Sequence, residues 1–352
     1  MIANRWACLT SVCFLAISCF GVAAASAQDR LAPGVVTNPN SWTPAERSAV
    51  SGFINGQIQT ILSDDVEAVS RARRNLADPL DTQGATESFL RQYSQLLTER
   101  LTPLVENDDL KTRINTMVIF SRIGHPDALD PIERGLTDPS PGVRYPAALA
   151  MNNQIDGGEL TNNQIEKILD LLKNQIVAEK DAFVVAPLLE AMLAADQSGA
   201  RVIDVLNDRV AIHAEQPGTS YSPENAALQL AFSRLFTAAQ RPQEQVRSLA
   251  KVSARYLQLA ARQLAEADLS TENNRSHIEA VRVAASSLEF AHTALRARGL
   301  TPQGLGTMID QENWVGLRDI AQEWVEILKQ DPFNFTDQDL ALPPASPQAA
   351  RR

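Results

Sequence analysis

A chain of 352 residues, 44% of them hydrophobic, can bury a sizeable core as one extended array or as two or three subdomains. Its formal net charge of −10 repels nucleic acid and anionic membrane surfaces on average. All three cysteines, Cys8, Cys13 and Cys19, fall in an N-terminal segment that reads as a leader, so the processed chain has no thiol for a disulfide, a nucleophile or a metal ligand.

Arg5, followed by an apolar run to Ala25, predicts a secretory signal peptide over residues 1–27. Ala25-Ser26-Ala27 supplies the small-x-small cleavage site and leaves Gln28 as the first mature residue. A lipoprotein signal ending at Cys19 is the rival, but it lacks a leucine three residues before the cysteine. Thr, Ser and Gly interrupt the run, which disfavours an uncleaved anchor. Arg5 is the only charged residue of 1–27, so cleavage takes the net charge from −10 to −11. The expectation is an extracytoplasmic protein, periplasmic or secreted, with no transmembrane segment in the mature chain.

Residues 28–41 are turn-rich and read as a linker. An N-terminal helical region follows over 42–106. Thr43-Pro44-Ala45-Glu46 is a capping box with proline at the first helical position, opening a helix to about Leu62. A second helix is predicted from Asp65 to Leu76 and a third from Thr86 to Val105. Leu90, Tyr93, Leu97 and Leu101 line the third at the three-to-four spacing of a core-facing stripe.

The most informative stretch is 138–151. Asp138 and Ser140 can cap a helix start, Pro141 suits its first turn, and Val143, Ala147, Ala150 and Met151 recur at helical spacing. Upstream, Leu110–Ile123 reads as a helix with Gly124 as its C-cap, and His125-Pro126-Asp127 turns the chain into a short helix through Ile132 to Leu136. Arg113 and Arg144 occupy matching places in successive helices, with Asn107 and Asp138 ahead of them. Val143-x-x-Pro146-x-x-x-Ala150-Met151 also overlays Val184-x-x-Pro187-x-x-x-Ala191-Met192, with Val185 in place of the arginine.

Asp138, Val143, Arg144, Ala147, Ala148, Ala150 and Met151 together resemble a HEAT-like repeat, most clearly over 107–153 and more weakly to about 215. The resemblance implies an α-solenoid used for binding, with Asp and Arg tying neighbouring repeats and no chemistry of its own. Val185 therefore predicts that regular stacking lapses near that residue.

Thr161-Asn162-Asn163-Gln164 is another capping box, leading Ile165, Ile168, Leu171, Leu172 and Ile176; Ala200–His213 is a further helix. The irregular stretch Glu215–Glu224 is taken as a subdomain boundary, closing a repeat block over 107–215. A C-terminal bundle over 216–336 then holds helices at about 223–239, 242–268, 274–298 and 312–330, the middle two forming a long antiparallel hairpin. Trp314, Leu317, Ala321, Trp324 and Leu328 should be buried on the last. The tail from 337 to 352 is expected to be disordered. No strand pattern appears, so the fold class is all-α: antiparallel hairpins stacked as a HEAT-like α-solenoid with a long-helix bundle.

No cofactor or metal is predicted. Glu289 and His292 have the spacing of one half of a di-iron site, but no second half exists, since the other three histidines lack a glutamate three residues earlier. His125 and His277 read as capping or exposed. On the 242–268 helix, Arg247, Lys251, Arg255 and Arg262 fall within about 80° of arc. Such a strip on an acidic protein can receive an anionic partner, an acidic protein segment or a polyanionic glycan, or can be a solvated face met by neighbouring acids. The functional expectation is a binding or scaffolding module for another extracytoplasmic protein. The alternatives are a ligand site in a groove between the 107–215 block and the C-terminal hairpin, or an enzyme with a carboxylate-based site.

Overall fold

The computed structural model describes residues 30–196, 199–238, 242–267 and 269–343. The expected signal peptide and cleavage site, Cys19 and the tail beyond 343 lie outside the described residues. Within them every element is an α-helix or a 3-10 turn. No helix among them is long and apolar enough to cross a membrane.

The N-terminal helices are α1 (Pro33–Val36), α2 (Pro44–Ile61), α3 (Val66–Ala77) and α4 (Glu87–Leu101). The Thr43 box forms as expected: the Thr43 hydroxyl accepts from the Glu46 N–H at 3.3 Å, and the Glu46 carboxylate accepts from the Thr43 N–H at 2.8 Å. Asp65 caps α3 through the Glu67 and Ala68 N–H groups, both at 3.0 Å. The linker expectation is corrected from residue 30 onward. Val36 is buried, its carbonyl accepts from the Thr86 N–H at 3.2 Å, and the Thr86 hydroxyl donates to the Asn38 carbonyl at 2.6 Å. The residue that caps α4 thus also fixes the segment ahead of α2.

Next come α5 (Leu110–Phe120), α6 (Leu129–Leu136), α7 (Pro141–Asp156), α8 (Asn162–Ala178), α9 (Ala182–Ala195) and α10 (Ala200–Glu215). The α5 helix stops at Phe120, short of the expected Ile123, and Gly124 does not cap it. The side-chain amides of Asn153 and Gln154 donate to the carbonyls of Ser121 and Ile123, satisfying the helix end from α7. Ser140 makes no side-chain cap; instead Asp138 accepts from the Ser140 N–H at 2.8 Å. Pro146 and Pro187 lie inside α7 and α9 at corresponding places, both buried, as the internal repeat requires.

The remaining helices are α11 (Ser222–Thr237), α12 (Gln243–Glu266), α13 (Thr271–Ala294), α14 (Leu305–Asp310), α15 (Trp314–Leu328) and α16 (Asp337–Leu340). Packing sorts the chain into two layers. In one, α3, α5, α7, α9, α11 and α13 each lie against the next; in the other, α8, α10, α12 and α15 do so, with α2 against α4 at the N-terminal end. Cross-layer pairs such as α2/α3, α6/α7, α8/α9 and α12/α13 join them, and the last is the long hairpin expected. The stack does not break at 215–224: α12 and α13 take the next places in the two layers, directly against α10 and α11. The segment from Asp337 to Leu340 is helical rather than disordered, because Leu340 is buried and Thr336 and Asp339 form a capping box.

Arginines tie successive rungs. Arg113 donates to the Asn107 carbonyl ahead of its own helix at 2.9 Å and to Asp138 ahead of the next at 2.8 Å. Arg144 repeats this, reaching the Asp138 carbonyl at 2.8 Å and Glu179 at 2.6 Å. Burial acts to raise the Glu179 carboxyl; the Arg144 bonds and the Asp181 N–H outweigh it and leave the group below its usual range. At Val185 the pattern should fail, yet α9 packs between α7 and α11. The rung is supplied from the other layer. Arg209 on α10 donates to the carbonyls of Ile176 at 2.7 Å and Glu179 at 2.9 Å, and to Glu224 on α11 at 2.5 Å. Stacking at 185 is therefore kept by an arginine that the repeat alignment does not place.

Candidate interaction surfaces

The α12 helix is apolar on the side that meets α10, α13 and α15, where Val246, Leu249, Val252, Tyr256, Ala260 and Leu264 are buried. The four cations lie along the flank of that face, all partly buried. They do not act as one open strip. Arg247 donates to the Phe333 carbonyl at 2.6 Å and stands 5.4 Å from the centre of the Phe335 ring. Lys251 pairs with Asp339 at 2.9 Å. Arg255 turns the other way, to Asn207 on α10 at 2.5 Å, and burial lowers its pKa. Arg262 lies with Glu266 and Arg318 in a small polar cleft at the far end. Two of the four cations are thus engaged by the chain's own C-terminal segment.

That segment is held as a bound peptide would be. Phe333 and Leu340 are its buried anchors, with Asp339 at the rim beside Lys251. Gln258 donates to the Leu340 carbonyl at 3.4 Å, while Lys329 meets Asp337 at 2.7 Å from the other side.

Between α10, α11, α12 and α13 lies a sealed polar cluster. Arg209, His213, Glu224 and His277 are each 0–1% exposed. His213 stacks on Tyr221 with ring centres 3.9 Å apart and sets its Nε2 3.1 Å from Glu224. Tyr221 donates to Gln263 at 2.8 Å, Gln263 donates to the His213 carbonyl at 2.6 Å, and Tyr256 donates to the Leu206 carbonyl at 3.1 Å. Burial would raise the Glu224 carboxyl, but His213 and Arg209 overcome it and hold the group well below its ordinary range. Burial pushes both tyrosines up and the His277 imidazole down. The groove expected between the repeat block and the long hairpin is filled by this cluster. The expectation that His277 is capping or exposed is corrected too: it meets the Asn273 carbonyl at 2.6 Å and Gln263 at 3.0 Å with no exposed surface. Sequence reasoning missed these groups because they come from four successive helices whose mutual packing no local pattern encodes; Glu224 beside Tyr221 at a helix start was the one local signal.

The other expected positions separate. His125 accepts from the Asp127 N–H at 3.3 Å, as a cap. Glu289 is exposed, while His292 is buried 6.3 Å from the Trp324 ring. No three His, Cys, Asp or Glu residues converge to hold a metal among the described residues.

Apolar groups face solvent on three successive helices of the first layer. Tyr145 on α7 is 43% exposed, Phe183 on α9 81% and Leu230 on α11 43%. Glu190 is the only charged residue within α9, so that helix is apolar almost all round although one side is uncovered. A separate cleft of about 710 Å³ opens beside α3 and α5, with Leu62, Val66 and Val69 on one wall and Asn107, Lys111 and Asn115 on the other.

No protein-family model matches the chain, and no curated protein matches it. Among solved structures it is similar to an engineered protein, at 16% identity and a TM-score of 0.41 over 66% of this chain and 97% of that one. It is also similar to importin beta, at 13% identity and a TM-score of 0.43 over 84% of this chain and 40% of that one.

Proposed function

We propose that the chain is an extracytoplasmic, HEAT-like helical-repeat scaffold that binds another protein and works by binding rather than by catalysis. The observation that carries this reading is the row of exposed apolar side chains, Tyr145, Phe183 and Leu230, on three consecutive helices of one layer. An apolar side chain left uncovered on each of three neighbouring helices offers a partner a place to sit. A repeat stack presents such positions at regular intervals to an extended surface. The buried ionisable groups support binding over chemistry: Glu224, His213 and Arg209 pair with one another at 0–1% exposure, out of reach of a substrate. The leader-like N-terminus, which gathers every cysteine, supports export.

The test is a crosslinked pull-down with the mature chain in the extracytoplasmic compartment of its source, run beside the Phe183→Asp/Leu230→Asp variant. Stoichiometric recovery of one or two proteins by the wild type, lost in the variant while its helical circular dichroism is kept, is expected. Equal recovery by both would move the interface off this face. Recovery of nothing by either would overturn the scaffold reading.

A further inference from the structure

We propose that the last described residues, Thr336–Pro343, are a displaceable strap over a peptide-docking groove between α12 and α15, and that the groove takes an acidic peptide of a partner in which Asp is followed by Leu. The proposal rests on the scaffold reading for its partner, but the groove chemistry stands on separate observations. It lies on the second layer, away from Tyr145, Phe183 and Leu230.

The strap shows what the groove recognises. Leu340 is 2% exposed and is the only fully buried side chain of 336–343. Asp339 sits against Lys251 at 2.9 Å, and Gln258 donates to the Leu340 carbonyl at 3.4 Å. Carboxylate, apolar side chain and main-chain carbonyl are thus each met by a different group, a recognition pattern for a short peptide. Lys251 meets the strap, and Arg262 and Arg318 lie beside Leu342 with Glu266 between them, in a chain of net charge −10, so the local field favours an acidic occupant against the sign of the whole molecule.

The strap is also weakly held. Both of its ion pairs are open to solvent, Lys251–Asp339 with side chains 32% and 38% exposed and Lys329–Asp337 with 29% and 88%, and such pairs contribute little. Upstream, by contrast, Phe333 is fully buried and the Phe335 N–H donates to the Leu328 carbonyl at 3.0 Å, so release stops near Thr336. Eight residues pinned there reach at most about 28 Å. Exchange between two copies would bring two strongly acidic chains within that span, which disfavours a second copy as the occupant. A tethered strap acts at millimolar effective concentration and therefore suppresses a free peptide until displaced.

The experiment uses the full mature chain and a fluorescent synthetic peptide with the sequence of residues 336–343, read by anisotropy. The Asp339→Ser/Leu340→Ser variant, whose own strap is released, is expected to bind the peptide at least about tenfold more tightly than the wild type, since the competing tether is gone. Adding Lys251→Glu should weaken that binding several-fold, and a peptide with Lys in place of the Asp before its first Leu should restore it, which a misfolded groove would not allow. Equal, absent or charge-insensitive binding in the released variant would overturn the groove. Concentration-dependent dimers of that variant, dissolved by the free peptide, would assign the groove to a second copy and overturn the partner.

Discussion

Arg209 Nε and Glu224 Oε1 meet at 2.5 Å, with each side chain only 1% exposed. The pair joins α10 to α11 at the place where the sequence suggests a subdomain boundary. Arg209 also donates to two carbonyls at the end of α8, so its guanidinium spans three helices. A buried charge of this kind persists only with its partners in place, and the two halves of the chain are fastened by it.

Arg209→Ala should therefore lower stability by about 3–5 kcal/mol, because Glu224 is left buried without its guanidinium partner. Replacing both together, Arg209→Met with Glu224→Leu, should recover most of that loss, since neither charge remains to be solvated. Urea unfolding followed by circular dichroism measures both. A single-residue loss under about 1 kcal/mol would show that the pair does not fasten the junction.

The same cluster sets an acid response. Burial holds the His277 imidazole below its ordinary value of 6.5, so the folded chain takes up that proton less readily than the unfolded chain. The stability this confers is fully present above 6.5 and is lost as the pH falls toward the lowered folded value. A second loss begins below 4.5, where the unfolded Glu224 carboxyl binds a proton that the folded one resists. The urea midpoint should fall between pH 7.5 and 5.5 in the wild type, and His277→Gln should flatten that slope.

Local signals read the architecture well. The capping boxes at Thr43 and Thr161, the paired prolines at 146 and 187 and the long hairpin all follow from neighbours in sequence, and all form. What sequence could not place are bonds that join distant elements. The amides of Asn153 and Gln154 end α5 in place of Gly124, and Arg209 takes the rung that Val185 leaves open. The cations of α12 were legible as a strip because helical spacing fixes their arc. Their partners, Phe333, Asp339 and Asn207, were not, since nothing at 247–262 encodes where residues 333–339 return. The expectations for residues 30–41 and 337–340 failed for a related reason: turn-rich composition describes the backbone, while one buried Val36 or Leu340 decides whether the segment docks.

The displaced rung gives a test against the repeat pattern itself. An alignment to the HEAT-like repeat asks for arginine at 185. In this structure Val185 is fully buried, and the carbonyls of Ile176 and Glu179 already accept from Arg209. Val185→Arg should thus bury a charge with no free acceptor and cost at least about 3 kcal/mol, an amount that unfolds a marginal domain. A variant as stable as the wild type would show that the original rung is still open.

Two glycines separate backbone entropy from packing. Gly52 is exposed within α2 and a methyl added there meets nothing within 4 Å, so Gly52→Ala should stabilise the chain by about 0.5–1 kcal/mol. Gly135 lies where α6 closes on α5 and α7. A methyl there falls on the Met117 sulfur and 3.0 Å from Ala147 Cβ. Met117 can swing aside, but Ala147 is carried by the α7 backbone and cannot, so overpacking outweighs the helical gain. Gly135→Ala should lose about 1–3 kcal/mol. Opposite signs for one chemical change, read by thermal unfolding of the two variants, would establish that the α5–α6–α7 contact is set by the missing Cβ; a stabilised Gly135→Ala would mean the helices can part without cost.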